Sequence, residues 1–488
     1  MKPRHILLID IDGLRPDVLR QALAEGSVPH IAGLFGGREL PRGLFMETAA
    51  PAPSITFCSQ ASLFTGAHPS QHGIPGNQYF DRFAPQQQPR HFAFDVGDTL
   101  AVDDAVMVFT HGLASQQLRV PTFYEKMAKQ GWEAVVAGNM YAKGAQTWLK
   151  PDLSKLTRFI KGKNLFGMSS AEYDQHIVDD VLAYLAENPL PRILTVYFMG
   201  VDHDSHKYGP NSQLAALKVV DGLIGQLWAE IQRKAEGSVL VSLFSDHGQI
   251  EVLPDDQHSL KLGFPFDREM AVFFDALGLD VHDYPGEDPA CDAVLALNGG
   301  SAAVYLHNKT GHWWDAPDFE RDVLPIGKAF WEAHQTGKYA PDLQNALAAV
   351  LIRQVDKDGW YGGYSALTPA GELVDLATWF ASQPSGLYLD PVNRLANYAS
   401  PNTGDILLLS NYAEQYYFGG ELTGMHGGLH PADSRATLVY GWVGVNGERW
   451  AEGRGRIEQA IAARCAAEGG RLPNVVDMLT GVEALLGN

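Results

Sequence analysis

The residues best suited to chemistry are acidic and histidine side chains that follow apolar runs or stand between glycines. The largely apolar runs at residues 6–11, 194–200 and 239–244 are each followed within two residues by an aspartate. Carboxylates and neutral imidazoles together are ligands that zinc and manganese accept more readily than calcium or magnesium do. The candidate metal ligands are Asp12, Asp202, His206, Asp246, His247 and His426.

Three aspartates and three histidines exceed what one structural metal site requires. The set suits two divalent ions about 4 Å apart, which can clamp the attacking and leaving oxygens of an in-line displacement at phosphorus. Taken alone, Asp12-Gly13 is typical of a turn, and His426 between glycines is typical of a loop histidine. Only the joint occurrence of the clusters favours a shared site.

A second candidate element is the stretch at residues 52–66, which is predicted to be a loop that enters a short helix ending at the glycine. Thr56 stands at the predicted N-cap, where free N–H groups and the helix dipole favour a phosphate. A hydroxyl is a weak nucleophile unless a metal lowers its pKa. From the residues alone, ordinary helix capping by Thr56 and nucleophilic roles for Ser54, Cys58 and Ser59 remain open.

The elements that must position these residues alternate between strands and helices. Such alternation predicts an α/β fold with a mostly parallel sheet that is sandwiched by helices. In such a sheet, functional groups gather at the carboxyl ends of the strands, so the aspartates after the apolar runs are expected to converge. We predict strands at residues 5–11, 134–137, 192–199 and 238–244, and helices at 15–25, 170–188 and 214–235.

The second half of the chain differs in composition, and we divide the chain into 1–304 (first part of the catalytic core), 305–400 (an insertion or cap) and 401–488 (second part of the core). The cap has predicted helices at 317–335, interrupted near Pro325, and at 341–354. Strands at 404–410 and 436–443 are predicted to return to the core. The aromatic residues of the cap either wall a substrate pocket or belong to a core; they are Trp313, Trp314, Trp331, Trp360, Tyr361 and Tyr364.

Charge and hydropathy narrow the classes of partner. The 488 residues carry 37 Lys plus Arg against 57 Asp plus Glu, a net charge of −20. That field repels a nucleic-acid polymer, whereas a small phosphorylated substrate stays possible because bound dications reverse the local sign. No apolar run approaches the roughly 20 residues that span a bilayer, so no membrane partner is expected. The sequence does not indicate an oligomeric state.

Cysteine usage and the first residues indicate the compartment. Cys58, Cys291 and Cys465 are far apart and show no CxxC spacing, so we expect them to be reduced. The short apolar stretch at residues 6–11 is typical of a first strand rather than of a signal peptide. We therefore expect a cytoplasmic location.

As an ordered set, these motifs resemble those of the nucleotide pyrophosphatase/phosphodiesterase branch of the alkaline phosphatase superfamily. The resemblance covers roughly residues 1–250 and 400–450, and the segment 305–400 has no recognisable counterpart. The motifs that carry it are Asp10-Ile11-Asp12-Gly13, Pro53-Ser54-Ile55-Thr56-Phe57, the Asp202 and His206 pair before Tyr208-Gly209-Pro210, Ser245-Asp246-His247-Gly248 and Met425-His426-Gly427.

The resemblance implies an alkaline-phosphatase-like core with two Zn²⁺, although Mn²⁺ or another divalent ion would also suit the ligands. It implies that Thr56 attacks phosphorus, and that a phosphodiester or pyrophosphate is hydrolysed through a phospho-threonine. The first ion would be held by Asp202, His206 and His426, and the second by Asp12, Asp246, His247 and the Thr56 oxygen.

One residue beside the nucleophile departs from the family pattern. The branch usually has an asparagine that contacts a non-bridging phosphate oxygen, and Ser59 occupies its place. A serine hydroxyl can donate a hydrogen bond but has a shorter reach, and losing a well-placed donor costs about 3–4 kcal/mol of transition-state stabilisation. Phosphomonoesters and phosphonates are therefore alternative substrates.

Two further alternatives stand beside hydrolysis at a two-metal site. A non-catalytic binding protein with a degenerate site would also explain the change at Ser59. A haloacid-dehalogenase fold would make Asp10 the nucleophile, but that interpretation leaves the histidines without a role.

Overall fold

A seven-stranded sheet forms the centre of the molecule. The computed structural model describes residues 2–84, 88–94, 102–160, 168–261, 269–282, 286–287 and 290–487. The strands of this sheet are β1 (His5–Ile11), β2 (Gly43–Ala49), β3 (Ala134–Ala137), β4 (Thr147–Leu149), β5 (Ile193–Phe198), β6 (Val239–Phe244) and β7 (Arg435–Val443).

The order of the strands is β2-β7-β6-β1-β5-β3-β4. The neighbours from β6 to β4 are parallel, and β7 is antiparallel to both β2 and β6. The buried side chains of β1 alternate between two hydrophobic clusters, with Ile6 and Leu8 on one face and Leu7 and Ile9 on the other. Both faces are therefore covered, as a mostly parallel sheet requires.

Helices pack on each face of this sheet, and the predicted α/β fold is confirmed. The main helices are α1 (Pro16–Glu25), α2 (Thr56–Thr65), α3 (Ser170–Glu187), α4 (Gly200–Tyr208), α5 (Gln213–Lys234), α6 (Gly447–Ala467) and α7 (Asp477–Leu486). One face of the sheet is covered by α1, α3 and α5, and the other by α2, α6 and α7.

A second sheet stands beside the first, and its neighbouring pairs are antiparallel except at one edge. The predicted strand at 404–410 exists as Ile406–Ser410 but pairs within this sheet, between Ser301–Leu306 and Leu347–Ile352. The division at residues 305 and 400 remains a proposal, and strands on both sides of those positions belong to this sheet. In spatial order its strands are Val281–His282, Ala293–Asn298, Ser301–Leu306, Ile406–Ser410, Leu347–Ile352, Ser365–Leu367 and Leu373–Asp375.

The predicted helix at 341–354 is wrong. A short 3₁₀ turn at Pro341–Leu343 leads into the strand Leu347–Ile352, which is almost wholly buried. A strand buried on both faces is continuously apolar, so its periodicity does not distinguish it from a buried helix. The predicted interruption near Pro325 is confirmed, because a π-helical turn at Phe319–Val323 changes to the α-helix Leu324–Thr336 there.

Smaller elements complete the described part of the chain. None of its helices is long and apolar enough to cross a bilayer. The remaining strands are Gln78–Asp81, Arg90–Ala93, Gly286–Glu287, Ile250–Glu251, Gly424–Met425, Ser259–Leu260 and Tyr417–Phe418, and the remaining helices are Pro29–Leu34, Pro69–His72, Val102–His111, Leu113–Gln116, Phe123–Ala128, Leu153–Ile160, Pro210–Ser212, Glu269–Ala276, Val355–Asp358, Leu376–Ala381, Pro391–Ala396, Tyr412–Glu414 and Pro431–Ser434.

Candidate active site

The three candidate aspartates meet at one edge of the central sheet, as predicted. The parallel neighbours β6, β1 and β5 end side by side, and Asp12 directly follows β1. Its N–H donates to Phe198 O at 2.9 Å. The N–H of Gly13 donates to Asp246 Oδ1 at 3.1 Å. Gly13 has φ +66°, and a Cβ there would lie 2.8 Å from Asp202 Oδ1, so a glycine is required at this crowded turn.

One group of ligand atoms surrounds His247. Its Nε2 lies 3.1 Å from Thr56 Oγ1. The same nitrogen lies 3.4 Å from Asp12 Oδ1 and 3.3 Å from Asp246 Oδ2. These four atoms are the ones that the resemblance assigned to the second ion.

A second group adjoins the first. His206 Nε2 lies 3.3 Å from Asp202 Oδ2 and 3.1 Å from His426 Nε2, and His426 Nε2 lies 3.6 Å from Asp202 Oδ1. Asp202 and His206 share a face of α4 because they are four residues apart. The rings of His247 and His426 stack with centroids 3.7 Å apart, so the groups are neighbours. His247 also lies within metal-binding range of Asp202 and His426.

The histidines are oriented by backbone carbonyls. The Nδ1 atoms of His206, His247 and His426 lie 2.7, 2.9 and 3.1 Å from the carbonyl oxygens of Gly424, Gly248 and Ser54. A carbonyl can only accept, so each Nδ1 donates, and in the neutral imidazole Nε2 then presents its lone pair to the site. Burial, followed by the neighbouring imidazole of His247, holds the pKa of His426 well below its ordinary value, which favours the neutral ligand form.

The residues of the two groups are suited to hold cations. Within the described structure, Asp12 Oδ1 and Asp246 Oδ2 are buried and have no hydrogen-bond partner. Burial, and then the charges of Asp246 and Asp202, raise the pKa of Asp12 well above its ordinary value. A dication would compensate these charges. Within each group the ligand atoms are separated by 3.1–3.6 Å, which is close enough for them to share a cation.

Thr56 is the first residue of α2 rather than its N-cap, which corrects the predicted position. Ile55 precedes it in an extended conformation, with φ −133° and ψ 147°, and is the N-cap. The hydroxyl is therefore not used for capping and lies at hydrogen-bond distance from His247 Nε2. Thr56 is 9% exposed, so it borders the surface of the site.

Ser59 is enclosed on all sides. It is 0% exposed, and its hydroxyl has no hydrogen-bond partner among the described residues. It lies three residues after Thr56 on the same helix. Its role as a hydrogen-bond donor to the substrate stays a prediction.

A buried polar network beneath α2 was not predicted. Gln60 Nε2 donates to Asp10 Oδ1 at 3.3 Å. Asn139 Nδ2 lies 3.1 Å from Asp10 Oδ2 and 2.8 Å from Gln60 Oε1. Two spacings in the sequence could have indicated this network. Gln60 lies four residues after Thr56, on the same face of a helix, and Asp10 lies two residues before Asp12, on the same side of a strand. Asp10, the nucleophile of the haloacid-dehalogenase alternative, is thus enclosed and hydrogen-bonded.

Two neutral donors on the candidate ligands were also missed. Tyr197 donates its hydroxyl to Asp12 Oδ2 from the neighbouring strand β5. Gln249 Nε2 donates to Asp202 Oδ1 at 2.5 Å. Gln249 stands two residues after His247, so its proximity was visible in the sequence, but its partner was not.

The cap aromatics divide between core and surface. Trp313, Trp331 and Tyr364 are buried, so they belong to a core. Trp360 is half-buried, and the Arg82 guanidinium carbon lies over its ring, 5.0 Å from the ring centroid. A surface pocket of about 420 Å³ is lined by Phe83, Arg119, Trp360, Tyr361 and Pro401. Trp314 stacks on His312, with the ring centroids 4.5 Å apart.

Known structures share this fold at low sequence identity. Murine ectonucleotide pyrophosphatase/phosphodiesterase 5 is 14% identical, covers 90% of this chain and 88% of its own, and has a TM-score of 0.52. An inactive form of that protein has been solved in complex with AMP. Phosphonoacetate hydrolase from Sinorhizobium meliloti 1021, in complex with phosphonoacetate, is 16% identical, covers 99% of this chain and 96% of its own, and has a TM-score of 0.53.

Several curated proteins are similar in sequence to part of this chain. The bis(5'-adenosyl)-triphosphatase ENPP4 of Homo sapiens is 23% identical over 261 residues, which are 52% of this chain and 49% of that protein. The chain spans about half or less of the length of the curated relatives it matches. Residues 6–368 match the family described as type I phosphodiesterase / nucleotide pyrophosphatase, which confirms the family predicted from the motifs. The chain belongs to the type I phosphodiesterase / nucleotide pyrophosphatase family.

Proposed function

We propose that this protein hydrolyses phosphodiester or pyrophosphate bonds of small molecules at a two-zinc centre, with Thr56 as the nucleophile. The observation that carries the proposal is the position of Thr56 Oγ1. It lies 3.1 Å from His247 Nε2, inside a group of candidate ligands and at the N-terminus of α2. The proposed nucleophile therefore lies beside the candidate metal ligands. It also lies at the end of a helix whose free N–H groups can bind an anion.

The proposed assignment of ligands follows the two groups. Asp202, His206 and His426 would hold one ion, and Asp12, Asp246, His247 and the Thr56 oxygen would hold the other. When bound, the ions would supply Lewis acidity at phosphorus and lower the pKa of the Thr56 hydroxyl. Nitrogen and carboxylate ligands favour zinc, and Mn²⁺ suits them next best.

The reaction proceeds in two displacements. Thr56 Oγ1 gives up its proton to solvent and bonds to phosphorus, while the bond between phosphorus and the leaving oxygen breaks and its electron pair stays on that oxygen. Water then attacks the phosphorus of the phospho-threonine, the P–Oγ1 bond breaks, the phosphate product leaves, and Oγ1 regains a proton. The N–H of Thr56 is at the first position of α2, where helix amides lack an intrahelical partner, so it can donate to a non-bridging oxygen.

The proposed substrate is small and anionic. The net charge of −20 disfavours a nucleic-acid polymer. The structural neighbours bind AMP and phosphonoacetate, which are compounds of this kind. In the described structure the three cysteines are free, and we place the protein in the cytoplasm on that basis.

The proposal is tested with a substrate panel and a metal assay. Zinc-loaded protein should bind two ions per chain and hydrolyse bis-p-nitrophenyl phosphate or a nucleotide pyrophosphate at least about tenfold faster than p-nitrophenyl phosphate. Faster turnover of the monoester or of phosphonoacetate would support the alternative substrates. Two bound zinc ions without turnover of any member would indicate a binding protein.

Replacing Ser59 with alanine separates its catalytic role from its structural role. A buried hydroxyl without a partner costs about 1–3 kcal/mol, so S59A should leave the free energy of unfolding unchanged or raise it. If Ser59 donates to the substrate, kcat/KM should fall by about 10-fold to 100-fold. Urea denaturation and steady-state kinetics measure the two quantities. Unchanged kcat/KM would remove Ser59 from the proposed mechanism.

A further inference from the structure

Gln249 is a buried amide placed against a candidate metal ligand. It is 0% exposed, and its Nε2 donates to Asp202 Oδ1 at 2.5 Å. The amide nitrogen must face Asp202, because a carboxylate offers only acceptors. Gln249 thus holds one oxygen of the carboxylate whose two oxygens face His426 and His206.

Among the described residues, the oxygen of the amide has no hydrogen-bond partner. Gln249 Oε1 is buried and makes no hydrogen bond within the described residues. Leaving such an acceptor unsatisfied destabilises the folded state, and an apolar side chain would avoid that loss. Packing alone therefore does not explain why a glutamine occupies this position. The hydrogen bond from its amide to the charged carboxylate of Asp202 does explain it.

Gln249 also supports the backbone that orients His206. It leads into Ile250–Glu251, which pairs antiparallel with Gly424–Met425. A Cβ on Gly424 would lie 2.8 Å from Gln249 Oε1, so amide and glycine are in close contact. The carbonyl of Gly424 accepts the hydrogen bond from His206 Nδ1 at 2.7 Å. One side chain thus fixes Asp202 and packs against the strand that fixes His206.

We propose that Gln249 is the positioning residue for the group of Asp202, His206 and His426, and that it raises the affinity of this group for a divalent ion. The inference rests on the metal binding in the proposed function. Gln249 follows Asp246-His247-Gly248, so it also links the loop of the second group to the first. Tyr197 plays the corresponding part in the group around His247, because its hydroxyl donates to the candidate ligand Asp12.

The test measures metal affinity rather than turnover. In Q249M the side chain keeps its length but loses the N–H donor, and in Q249N the amide is too short to reach Asp202. Each variant should bind one of its two zinc ions about 10-fold to 100-fold more weakly in competition with a chromophoric chelator. The other ion should bind as in the wild type. Circular dichroism checks that each variant is folded.

Matched variants show which group is affected. Y197F removes the donor on Asp12 and should weaken the ion of the other group, so in Co²⁺-loaded protein its visible absorption change should differ from that of Q249M. Gln257 is an exposed glutamine in the turn after the strand Ile250–Glu251, and Q257M should bind both ions as the wild type does.

The two proposals fail in different ways. A wild-type protein without tightly bound metal would overturn the proposed function. A wild-type protein with two ions, together with folded Q249M or Q249N that retains both affinities and the Co²⁺ spectrum, would overturn the role of Gln249 alone. An equal loss of both ions in Q249M would show general damage to the site and would also contradict the assignment.

Discussion

Replacing Thr56 with alanine is expected to lower kcat by about 10⁴-fold or more, while the protein still binds two zinc ions per chain. The change removes one methyl and one hydroxyl from the first residue of a helix that is otherwise held in place. The carbonyl of Phe57 accepts from Tyr141 Oη at 2.9 Å, and its N–H donates to Asn77 Oδ1 at 2.9 Å. The position of α2 should therefore survive the loss of the hydroxyl.

Metal binding should survive because the group around His247 keeps three ligands. Asp12, Asp246 and His247 all approach one another within metal-binding range without Thr56. A modest loss of zinc affinity is expected at this group and none at the other. This outcome separates a nucleophile from a residue that serves only as a ligand.

The serine variant is the matched control for this prediction. T56S keeps the hydroxyl and should retain much more activity than T56A. Acid quenching of T56S or wild-type reactions, followed by mass spectrometry, should reveal the phosphorylated residue in the peptide that contains position 56. Turnover by T56A near the wild-type rate, or phosphate on another residue, would contradict the assignment of the nucleophile.

The central sheet could be predicted because its strands are locally encoded. β1, β5 and β6 are largely apolar runs and are buried along their whole length, as expected for strands that are covered on both faces. Their carboxyl ends carry the candidate aspartates, and the parallel arrangement follows from the helices between them. The convergence of the ligands was thus contained in the order of elements and motifs.

The second sheet depends on pairings that local patterns do not encode. Ile406–Ser410 pairs with Ser301–Leu306 on one side and with Leu347–Ile352 on the other. Ile406–Ser410 lies about one hundred residues after Ser301–Leu306 in the chain, and the sequence of Leu347–Ile352 is equally compatible with a helix. The strand order of this sheet therefore could not be predicted from the sequence.

The residues that support the candidate ligands could not be predicted from the sequence either. The sequence placed Tyr197 in a strand and Gln249 beside a motif, but their roles depend on donor–acceptor contacts with Asp12 and Asp202. Such contacts join segments that lie far apart in the chain. Ligands recur in recognisable motifs, whereas the donors that orient them can come from any neighbouring element.

The second large effect is expected at Asp202. D202N should reduce bound zinc from two ions to one per chain and lower kcat/KM by about 10³-fold or more. Asp202 is the only carboxylate in the group with His206 and His426, and each of its oxygens faces one of the imidazoles. Without it, two neutral histidines would have to hold a dication with no compensating charge.

Asp204 provides a control on the same helix. Its Oδ1 accepts from Ser170 Oγ at 2.7 Å, on a different side of α4 from the ligand group. D204N carries the same chemical change and should keep two zinc ions and nearly full activity. Metal analysis after gel filtration and steady-state kinetics compare the two variants. If D202N retained two tightly bound ions, or if D204N lost one, the carboxylate of Asp202 would not be the ligand that completes this group.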